Sequence, residues 1–477
     1  MRTRFGLVSL GCDKNTVDSE RIAGALGAHG ARMVSDLAAA DVILVNTCGF
    51  IDAAKEESIQ ALLDVARYKD EGRCRAVVAM GCLVERYEEE LRASLPEVDL
   101  FVGLREAGRL LPELQARGLA SDPLEGHPGV RRPLGDRRHV RYLKISEGCD
   151  HGCAFCAIPL WRGQHRSFDP DALVEEARRL EGQGAVELNL VAQDLAHYGR
   201  EWRNGTDIAA LVRRLLDGTS IPWIRLLYVY SAGLREPLVE LMASEPRLLP
   251  YIDMPIQHAS DTVLRRMRRP ERREGLRRKI AWLRDAVPCL ALRTTVLVGF
   301  PGETEEDYRS LLDFLEEVEF DRLGAFAFSP QDGTRAADME VDFLPEGLAG
   351  ERLEELLEVQ RAISAARLAR EVGARRDVLV DRVAGASAAG RTAGQADDVD
   401  GVTELEGVTG DVSPGTIVEA EIVAAHDYDL SARACRVLRP APASAPEATE
   451  PPAAGESGAR GRRLPLAPLG LDAAHGR

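Results

Sequence analysis

The sequence predicts an α/β protein in three parts: an N-terminal open parallel sheet, a central partial barrel of six βα units, and a small C-terminal β-barrel. In the first two parts, short apolar runs rich in β-branched residues alternate with helical patterns, which is typical of parallel sheets. Six such units can be traced after residue 139, fewer than the eight of a closed βα barrel. Beyond residue 373, short alternating strands separated by turn residues indicate the small β-barrel.

In the N-terminal part, a cysteine follows each of three predicted strands. The runs 5–11, 42–47 and 76–81 are largely apolar, and each precedes a cysteine that lies beside a glycine. Because the carboxyl ends of parallel strands meet at one edge of a sheet, these cysteines should converge there as a three-cysteine site. The alternative is three small buried cysteines in tight turns. The cysteines are Cys12, Cys48 and Cys82, and the helical patterns behind them cover about 17–28, 53–67 and 84–93.

Composition and turn residues predict the domain boundaries. We expect an N-terminal domain at 1–120, a Gly-, Pro- and charge-rich linker at 121–138, and the central barrel at 139–372. The C-terminal barrel follows at 373–439, and the Pro- and Ala-rich tail 440–477 is expected to be disordered. Predicted central strands are 140–145, 186–192, 223–229, 251–254, 292–298 and 323–328. Predicted helices are 172–183, 208–216, 234–243, 271–286, 305–317 and 346–372.

The loop that follows the first central strand carries Cys149, Cys153 and Cys156, separated by three and then two residues. Thiolates are the usual ligands of iron–sulfur clusters, and three of them leave one iron of a cubane cluster without a protein ligand. A structural zinc site would need four ligands, and only His151 is near enough in sequence to be the fourth. An open iron can bind and activate a small molecule, so the loop is predicted to hold a reaction centre.

The other cysteines and the composition indicate a reducing setting. Nine cysteines in 477 residues are too sparse for a disulfide framework, and the chain shows neither a secretory signal core nor an apolar run of membrane-spanning length. We therefore expect a cytoplasmic protein that does not involve a membrane. Cys74, Cys289 and Cys435 are expected to be structural or incidental.

Over nearly its whole length the sequence resembles the radical S-adenosylmethionine (SAM) methylthiotransferase family. The segments that carry the resemblance are Gly11-Cys12-Asp13-Lys14-Asn15, Asn46-Thr47-Cys48, Met80-Gly81-Cys82, Glu147-Gly148-Cys149-Asp150-His151, Arg162-Gly163, Gly299-Phe300-Pro301-Gly302-Glu303-Thr304 and Gly390-Arg391-Thr392. The resemblance implies that the central part is a partial (βα)6 radical-SAM barrel and that the C-terminal barrel is a TRAM domain.

The resemblance also implies two [4Fe-4S] clusters, with SAM as cosubstrate. Cys149, Cys153 and Cys156 would ligate the cluster that cleaves SAM to a hydrogen-abstracting radical, and Cys12, Cys48 and Cys82 would ligate an auxiliary cluster that carries the sulfur to be transferred. A C–H bond without useful acidity needs such a cofactor, because acid–base residues alone cannot break it.

Two branches of the family remain open. One modifies the β-carbon of an aspartate in small-subunit ribosomal protein S-twelve, and the other modifies an adenosine in transfer RNA. Lys14-Asn15 and the segments 253–258 and 320–326 resemble the first branch, although Asp13 replaces the proline usual there. Residues 375–438 contain six Arg and twelve Asp or Glu, and the whole chain has a net charge of −16. An acidic module suits a basic protein better than RNA.

We therefore expect protein S-twelve, free or within the ribosome, as the partner, together with an electron donor, and we expect transfer RNA less. Outside this enzyme class, the alternative is an iron–sulfur electron carrier or redox sensor. Two sites with open coordination and a barrel large enough for a substrate disfavour that alternative.

Four residues near strand ends are expected to contact the cosubstrate or the target, although polar packing is an equal alternative for each: Gln193, Gln257, Gly299 and Ser329. Phe155, the aromatic residue just before Cys156, fits the family pattern and is also expected to contact the cofactor. His258 is expected to be a hydrogen-bonded structural histidine, and Arg162-Gly163 to brace the cysteine loop. The arginine-rich stretch 265–279 could contact ribosomal RNA, but a solvated helix face paired with Glu271 and Glu274 is favoured.

Overall fold

The computed structural model describes residues 3–123, 131–135, 137–341, 343–385, 387–408 and 410–442. It confirms the predicted α/β class and its three parts. Most of the predicted tail lies outside the described residues, as does much of the predicted linker. In the described part of that linker, Arg131 is buried and pairs with Glu20 at 2.6 Å and with Glu176 at 2.6 Å. Residues 131–135 are therefore anchored to both flanking domains.

The N-terminal domain is a five-stranded parallel sheet with the strand order β2-β1-β3-β4-β5. Its strands are β1 (Arg4–Ser9), β2 (Arg32–Met33), β3 (Val42–Thr47), β4 (Ala76–Gly81) and β5 (Leu100–Gly103). Its helices are α1 (Asp13–Ala28), α2 (Asp52–Ala66), α3 (Tyr68–Glu71), α4 (Cys82–Ser94) and α5 (Leu110–Ala116). Every residue of β3 and β4 is buried, because helices cover both faces of a parallel sheet.

The central domain is an open sheet of six parallel strands in the order β6-β9-β10-β11-β12-β13. The strands are β6 (Val140–Lys144), β9 (Glu187–Val191), β10 (Trp223–Leu226), β11 (Leu248–Asp253), β12 (Ala291–Val298) and β13 (Arg322–Ala327). The helices are α6 (Ile158–Arg162), α7 (Pro170–Gly182), α8 (Ile208–Gly218), α9 (Glu236–Ser244), α10 (Asp261–Arg266), α11 (Arg273–Ala286), α12 (Glu305–Val318) and α13 (Leu348–Ala369). Each predicted central strand is present, within a few residues of its predicted ends.

Several short elements were not predicted, among them β2, β5 and a strand pair at the cysteine loop. The two-residue strands β7 (Ser146–Glu147) and β8 (Arg166–Ser167) pair antiparallel and close the base of the cysteine loop. No periodicity can develop over two residues, so their sequence carries no strand signal. The pair holds the two ends of the loop together.

The C-terminal domain is a closed five-stranded barrel of β14 (Arg375–Ala384), β15 (Ser387–Thr392), β16 (Thr403–Glu406), β17 (Ile417–Ala425) and β18 (Leu430–Arg439). Its apolar residues pack against the first residues of β6, β10 and β12 in one buried cluster. The C-terminal barrel therefore covers the amino ends of the central strands. Their carboxyl ends, where active sites of such folds lie, stay uncovered by it. In the described part of the chain, no helix is both long and apolar enough to cross a membrane.

Candidate active site

The first three cysteines lie at the carboxyl ends of adjacent strands, as the strand pattern predicted. Cys12 is the N-cap of α1, Cys48 directly follows β3, and Cys82 is the first residue of α4. Gly11 between β1 and α1 has φ +81, and a Cβ atom there would lie 2.9 Å from the Cys48 Sγ atom. The turn before Cys12 thus requires glycine, which lets the backbone pass close to the neighbouring thiol.

The second set lies in the loop between β7 and β8. The loop is held by backbone hydrogen bonds: Cys149 N–H donates to the carbonyl of Gly163 at 3.1 Å, and Ala154 N–H donates to that of Met267 at 2.9 Å. The carbonyl of Ala154 in turn accepts from the N–H of Ala336 at 2.9 Å. The first bond closes the loop on itself, and the other two fasten it to the segments of Met267 and Ala336, which fixes the positions of its cysteines.

Both sets contain buried thiols that are protonated until a metal binds them. Burial raises the pKa of Cys48 and Cys156 to about 12 and that of Cys82 and Cys149 to about 11. Such thiols become thiolates when a metal coordinates them. Beside the second set, the potential ligand atoms of His151, Asp194 and His197 lie within 4.8 Å of one another.

The two cysteine sets are neighbours in space. Cys82 packs against Ala157 and Trp161, which follow Cys156 in the cysteine loop. The buried Arg162 lies between them: its Nη2 is 3.3 Å from the Cys82 Sγ and donates to Asn15 Oδ1 at 2.7 Å, while its Nη1 donates to Glu147 at 2.9 Å. Arg162, expected to brace the loop, thus links the loop to the N-terminal domain.

Glu147 is the centre of a buried polar network at this junction. Lys144 donates to it at 2.7 Å and also contacts Asp18, and Gln193 Nε2 donates to it at 3.2 Å. Burial favours the protonated acid, but Lys144 and Arg162 outweigh burial and lower the pKa of Glu147 to about 2. The carboxylate therefore stays charged and holds both cations in place.

On the other side of the loop, a group of residues that the sequence did not single out holds His151. His151 stacks on Tyr230 with ring centroids 4.0 Å apart, and its Nε2 lies 2.8 Å from Asp194. Arg269 lies 4.0 Å above the same Tyr230 ring, and its Nη1 is 3.9 Å from the Cys153 Sγ. The sequence shows only that Asp194 and Tyr230 each follow a predicted strand, which does not reveal that they contact His151.

Of the residues expected to contact cosubstrate or target, four follow central strands, whereas Phe155 lies in the cysteine loop. Phe155 packs against an apolar cluster around Met267 and Phe300. Gln193 has an Oε1 atom that is buried without a hydrogen-bond partner in the described structure. Gln257 has φ +68 and bridges to β12.

Two of these expected residues have clear structural roles. Gly299 has φ +76, and a Cβ there would lie 2.6 Å from the Cβ of Ala349 on α13. Ser329 donates to Asp52 of the N-terminal domain at 2.7 Å. Helix packing therefore explains the glycine, and a contact between domains explains the serine.

The remaining expectations concern His258 and the arginine-rich stretch. His258 is fully buried, and its Nδ1 accepts from the N–H of Ser260 at 2.9 Å, in agreement with a structural role. In the stretch, Arg277 pairs with Glu274 and Glu317, and Arg269 pairs with Glu271 at 3.2 Å. Pairing within the domain therefore accounts for much of its charge.

Known proteins match each part of the chain. The Uncharacterized protein family UPF0004 matches residues 4–103, the Radical SAM superfamily residues 143–315, and the TRAM domain residues 372–435. As a radical SAM protein, the chain uses a [4Fe-4S] cluster and SAM. A solved structure, the radical SAM methyltransferase TsrM from Kitasatospora setae, covers 78% of this chain and 91% of its own at 16% identity and a TM-score of 0.53, which shows a shared fold alone.

Relatives with much higher identity extend over nearly the whole chain. "Ribosomal protein uS12 methylthiotransferase RimO" of Desulforudis audaxviator is 46% identical over 91% of this chain and 98% of its own length. The protein of the same name from Anaeromyxobacter sp. (strain K) is 45% identical over 94% and 98%. That from Myxococcus xanthus is 42% identical over 91% and 92%. The chain therefore belongs to the RimO family of radical SAM methylthiotransferases.

Proposed function

We propose that this chain transfers a methylthio group to the β-carbon of an aspartate in ribosomal protein uS12. The relatives that span its full length are named for that protein substrate. The observation that carries the proposal is the contact between the two cysteine sets, in which Cys82 packs directly behind the loop of Cys149, Cys153 and Cys156. Sulfur insertion needs a radical source and a sulfur carrier side by side.

In this proposal Cys149, Cys153 and Cys156 ligate the [4Fe-4S] cluster that cleaves SAM, and Cys12, Cys48 and Cys82 ligate an auxiliary [4Fe-4S] cluster. When bound, the first cluster would supply the electron that cleaves SAM to a hydrogen-abstracting radical, and the second would supply the sulfur. The protein residues hold both sets at one place: Arg162 and Glu147 tie the loop to α1, and Asn15 donates to the carbonyls of Leu10 and Thr47 beside Cys12 and Cys48.

Gln193 is the best supported of the residues proposed to contact SAM. Its amide N–H donates to Glu147, which fixes the side chain, while its buried Oε1 has no partner among the described residues. A buried acceptor without a donor is costly, so a bound amine or hydroxyl would stabilise it. Phe155 and Gln257 are proposed as weaker contacts, and Gly299 as a backbone contact at most.

The direct test is to reconstitute the protein without oxygen, add reductant and SAM, and offer either a uS12 peptide or transfer RNA. We expect the peptide, and not the RNA, to gain the mass of a methylthio group. A gain on transfer RNA alone would refute the proposed target. Intact SAM in every reaction would instead favour an electron carrier.

Single cysteine variants test the two ligand sets separately. Cys149→Ala should abolish SAM cleavage, because it removes a ligand of the proposed radical cluster. Cys48→Ala should lower the iron content and retain some SAM cleavage, but give no methylthio product. Cys289→Ala is the control: because the Cys289 thiol is exposed, this variant should leave SAM cleavage and the yield of methylthio product unchanged. Normal sulfur transfer by Cys48→Ala would contradict the assignment of the auxiliary ligands.

A further inference from the structure

Lys14 extends from the N-terminal domain to the carboxyl ends of the central strands. It lies in the first turn of α1, two residues after Cys12, and only 8% of it is exposed. Its Nζ atom is 3.2 Å from the centroid of the Tyr228 ring. Tyr228 follows β10 on the side of the barrel where the two cysteine sets meet. The ammonium group thus lies where the two domains face each other.

Asp13 and Asp253 interact electrostatically with the Lys14 ammonium, but neither forms an ion pair or a hydrogen bond with it. In the described structure, no carboxylate oxygen lies within 4.0 Å of Nζ and no hydrogen bond from it is formed, so its close contact is the Tyr228 ring. A buried charge without a hydrogen-bonded counter-ion is costly and is usually paired. A cation–π contact compensates only part of that cost. The ammonium is therefore suited to an anionic ligand.

Neighbouring cations do not share this property. Lys144 contacts Asp18 and Glu147, and Arg162 pairs with Glu147 at 2.9 Å. Arg293, next to the end of β11, pairs with Asp253 at 3.1 Å and with Asp400 at 3.4 Å. Of these four buried or half-buried cations at the junction of the domains, Lys14 is the one that forms no ion pair with a carboxylate of the described residues.

We propose that Lys14 binds the side-chain carboxylate of the target aspartate and so sets the specificity for that residue. This inference rests on the proposed function, because it takes an aspartate β-carbon as the site of sulfur insertion. In aspartate the carboxyl carbon is bonded directly to the β-carbon. A cation two residues from Cys12 therefore holds the carboxylate while the adjacent β-carbon faces the sulfur-bearing site. In a buried site, a neutral asparagine would leave the ammonium unpaired and would be rejected.

The experiment compares two uS12 peptides, one with the target aspartate and one with asparagine in its place, on the anaerobically reconstituted protein. The measured quantity is kcat/KM for methylthio transfer, followed by peptide mass. We expect the protein to prefer aspartate. In Lys14→Met, kcat/KM on the aspartate peptide should fall at least about 30-fold, with a far smaller change on the asparagine peptide, because a buried charge pair is lost. Lys14→Arg should restore part of the preference.

An aspartate-to-asparagine ratio that is unchanged in Lys14→Met would overturn the inference while leaving the proposed function intact. If neither peptide reacts with the unsubstituted protein, the proposed function itself fails. Iron content and thermal unfolding show whether Lys14→Met folds. Should it not fold, zero-length carbodiimide cross-linking of the aspartate peptide to the unsubstituted protein decides: an amide bond to Lys14 is expected, and either cross-linking to another lysine or no cross-link would overturn the inference.

Discussion

Arg162 contacts groups from two domains with a single guanidinium. Asn15, Asp18 and Cys82 come from the N-terminal domain, and Glu147 comes from the edge of the cysteine loop. Burial opposes its charge, but Cys82, Glu147 and Asp18 raise the pKa of Arg162 above the ordinary arginine value. The planar guanidinium of arginine has five N–H donors and can contact all these groups at once, which the single ammonium of a lysine cannot.

We expect Arg162→Met to destabilise the protein by about 2–3 kcal/mol, because it removes charged hydrogen bonds to Asn15 and Glu147 and leaves Lys144 as the one cation for Glu147 and Asp18. Arg162→Lys should recover part of this loss, since it restores the charge but not the planar guanidinium. Urea unfolding of the reduced, metal-free protein measures both values. Arg265→Met, at an exposed position, is the control and should change stability by less than about 0.5 kcal/mol. Equal stabilities for the Met variants at 162 and 265 would contradict the bridging role.

Hydrophobic periodicity predicted the long helices and strands well, but it missed the first residues of some helices. The helical patterns after Cys12 and Cys82 begin in sequence at about 17 and 84, whereas α1 begins at Asp13 and α4 at Cys82 itself. The first turn of α1 is Asp13-Lys14-Asn15-Thr16, which has no apolar residue, so hydrophobic spacing cannot reveal it. Lys14 was noted only for its likeness to one branch of the family, and its buried position depends on the barrel that packs against it.

The role of Gly299, the glycine that follows β12, was also not visible in the sequence. Gly299 was expected at the cosubstrate, but a Cβ there would meet Ala349 of α13 at 2.6 Å. We expect Gly299→Ala to destabilise the protein by about 2 kcal/mol, through its positive φ and the overlap with α13. Gly275→Ala is the matched control: it lies in α11 with open space around its Cα, and should stabilise by about 0.5 kcal/mol. Thermal unfolding measures both.

An unchanged KM for SAM in a folded Gly299→Ala variant would assign this glycine to packing alone. A rise in KM without loss of stability would instead support the expected cosubstrate contact.

At the scale of the whole molecule, the sequence established the three parts and the family but not how the parts fit together. The net charge of −6 counted over residues 375–438 treats every acid as surface charge. In the structure, Asp397 pairs with Arg137 of the linker and Asp400 pairs with Arg293 of the central domain. Part of the acidity therefore serves the contact between domains, which weakens charge as an indicator of the target. The predicted domain boundaries and cluster ligands stay predictions.

The contact between the C-terminal barrel and the central domain should weaken in acid. Asp381 of β14 lies 2.9 Å from His139 Nε2 and 2.7 Å from Arg391 Nε. Arg391 reaches in turn to the fully buried Glu187 at 2.6 Å. Burial favours the protonated acid, but His139 and Arg391 outweigh it and lower the pKa of Asp381 well below the ordinary value. A carboxyl with a lowered pKa stabilises the folded state fully above its unfolded pKa of about 3.9 and loses that contribution as the pH falls through its folded pKa.

We therefore expect the amide protons of β14 and β15 to lose protection from hydrogen exchange as the pH falls below about 4, when exchange rates are corrected for the intrinsic effect of pH. Asp381→Asn should lower the free energy of unfolding at pH 7. The difference in this free energy between the variant and the unsubstituted protein should become smaller as the pH falls, because the unsubstituted protein loses the Asp381 charge in acid and the variant has none there. Asp411→Asn, at an exposed position of the same barrel, should follow the unsubstituted protein at every pH. A gap between Asp381→Asn and the unsubstituted protein that stays constant from pH 7 to pH 3 would show that the Asp381 carboxylate does not hold the two domains together.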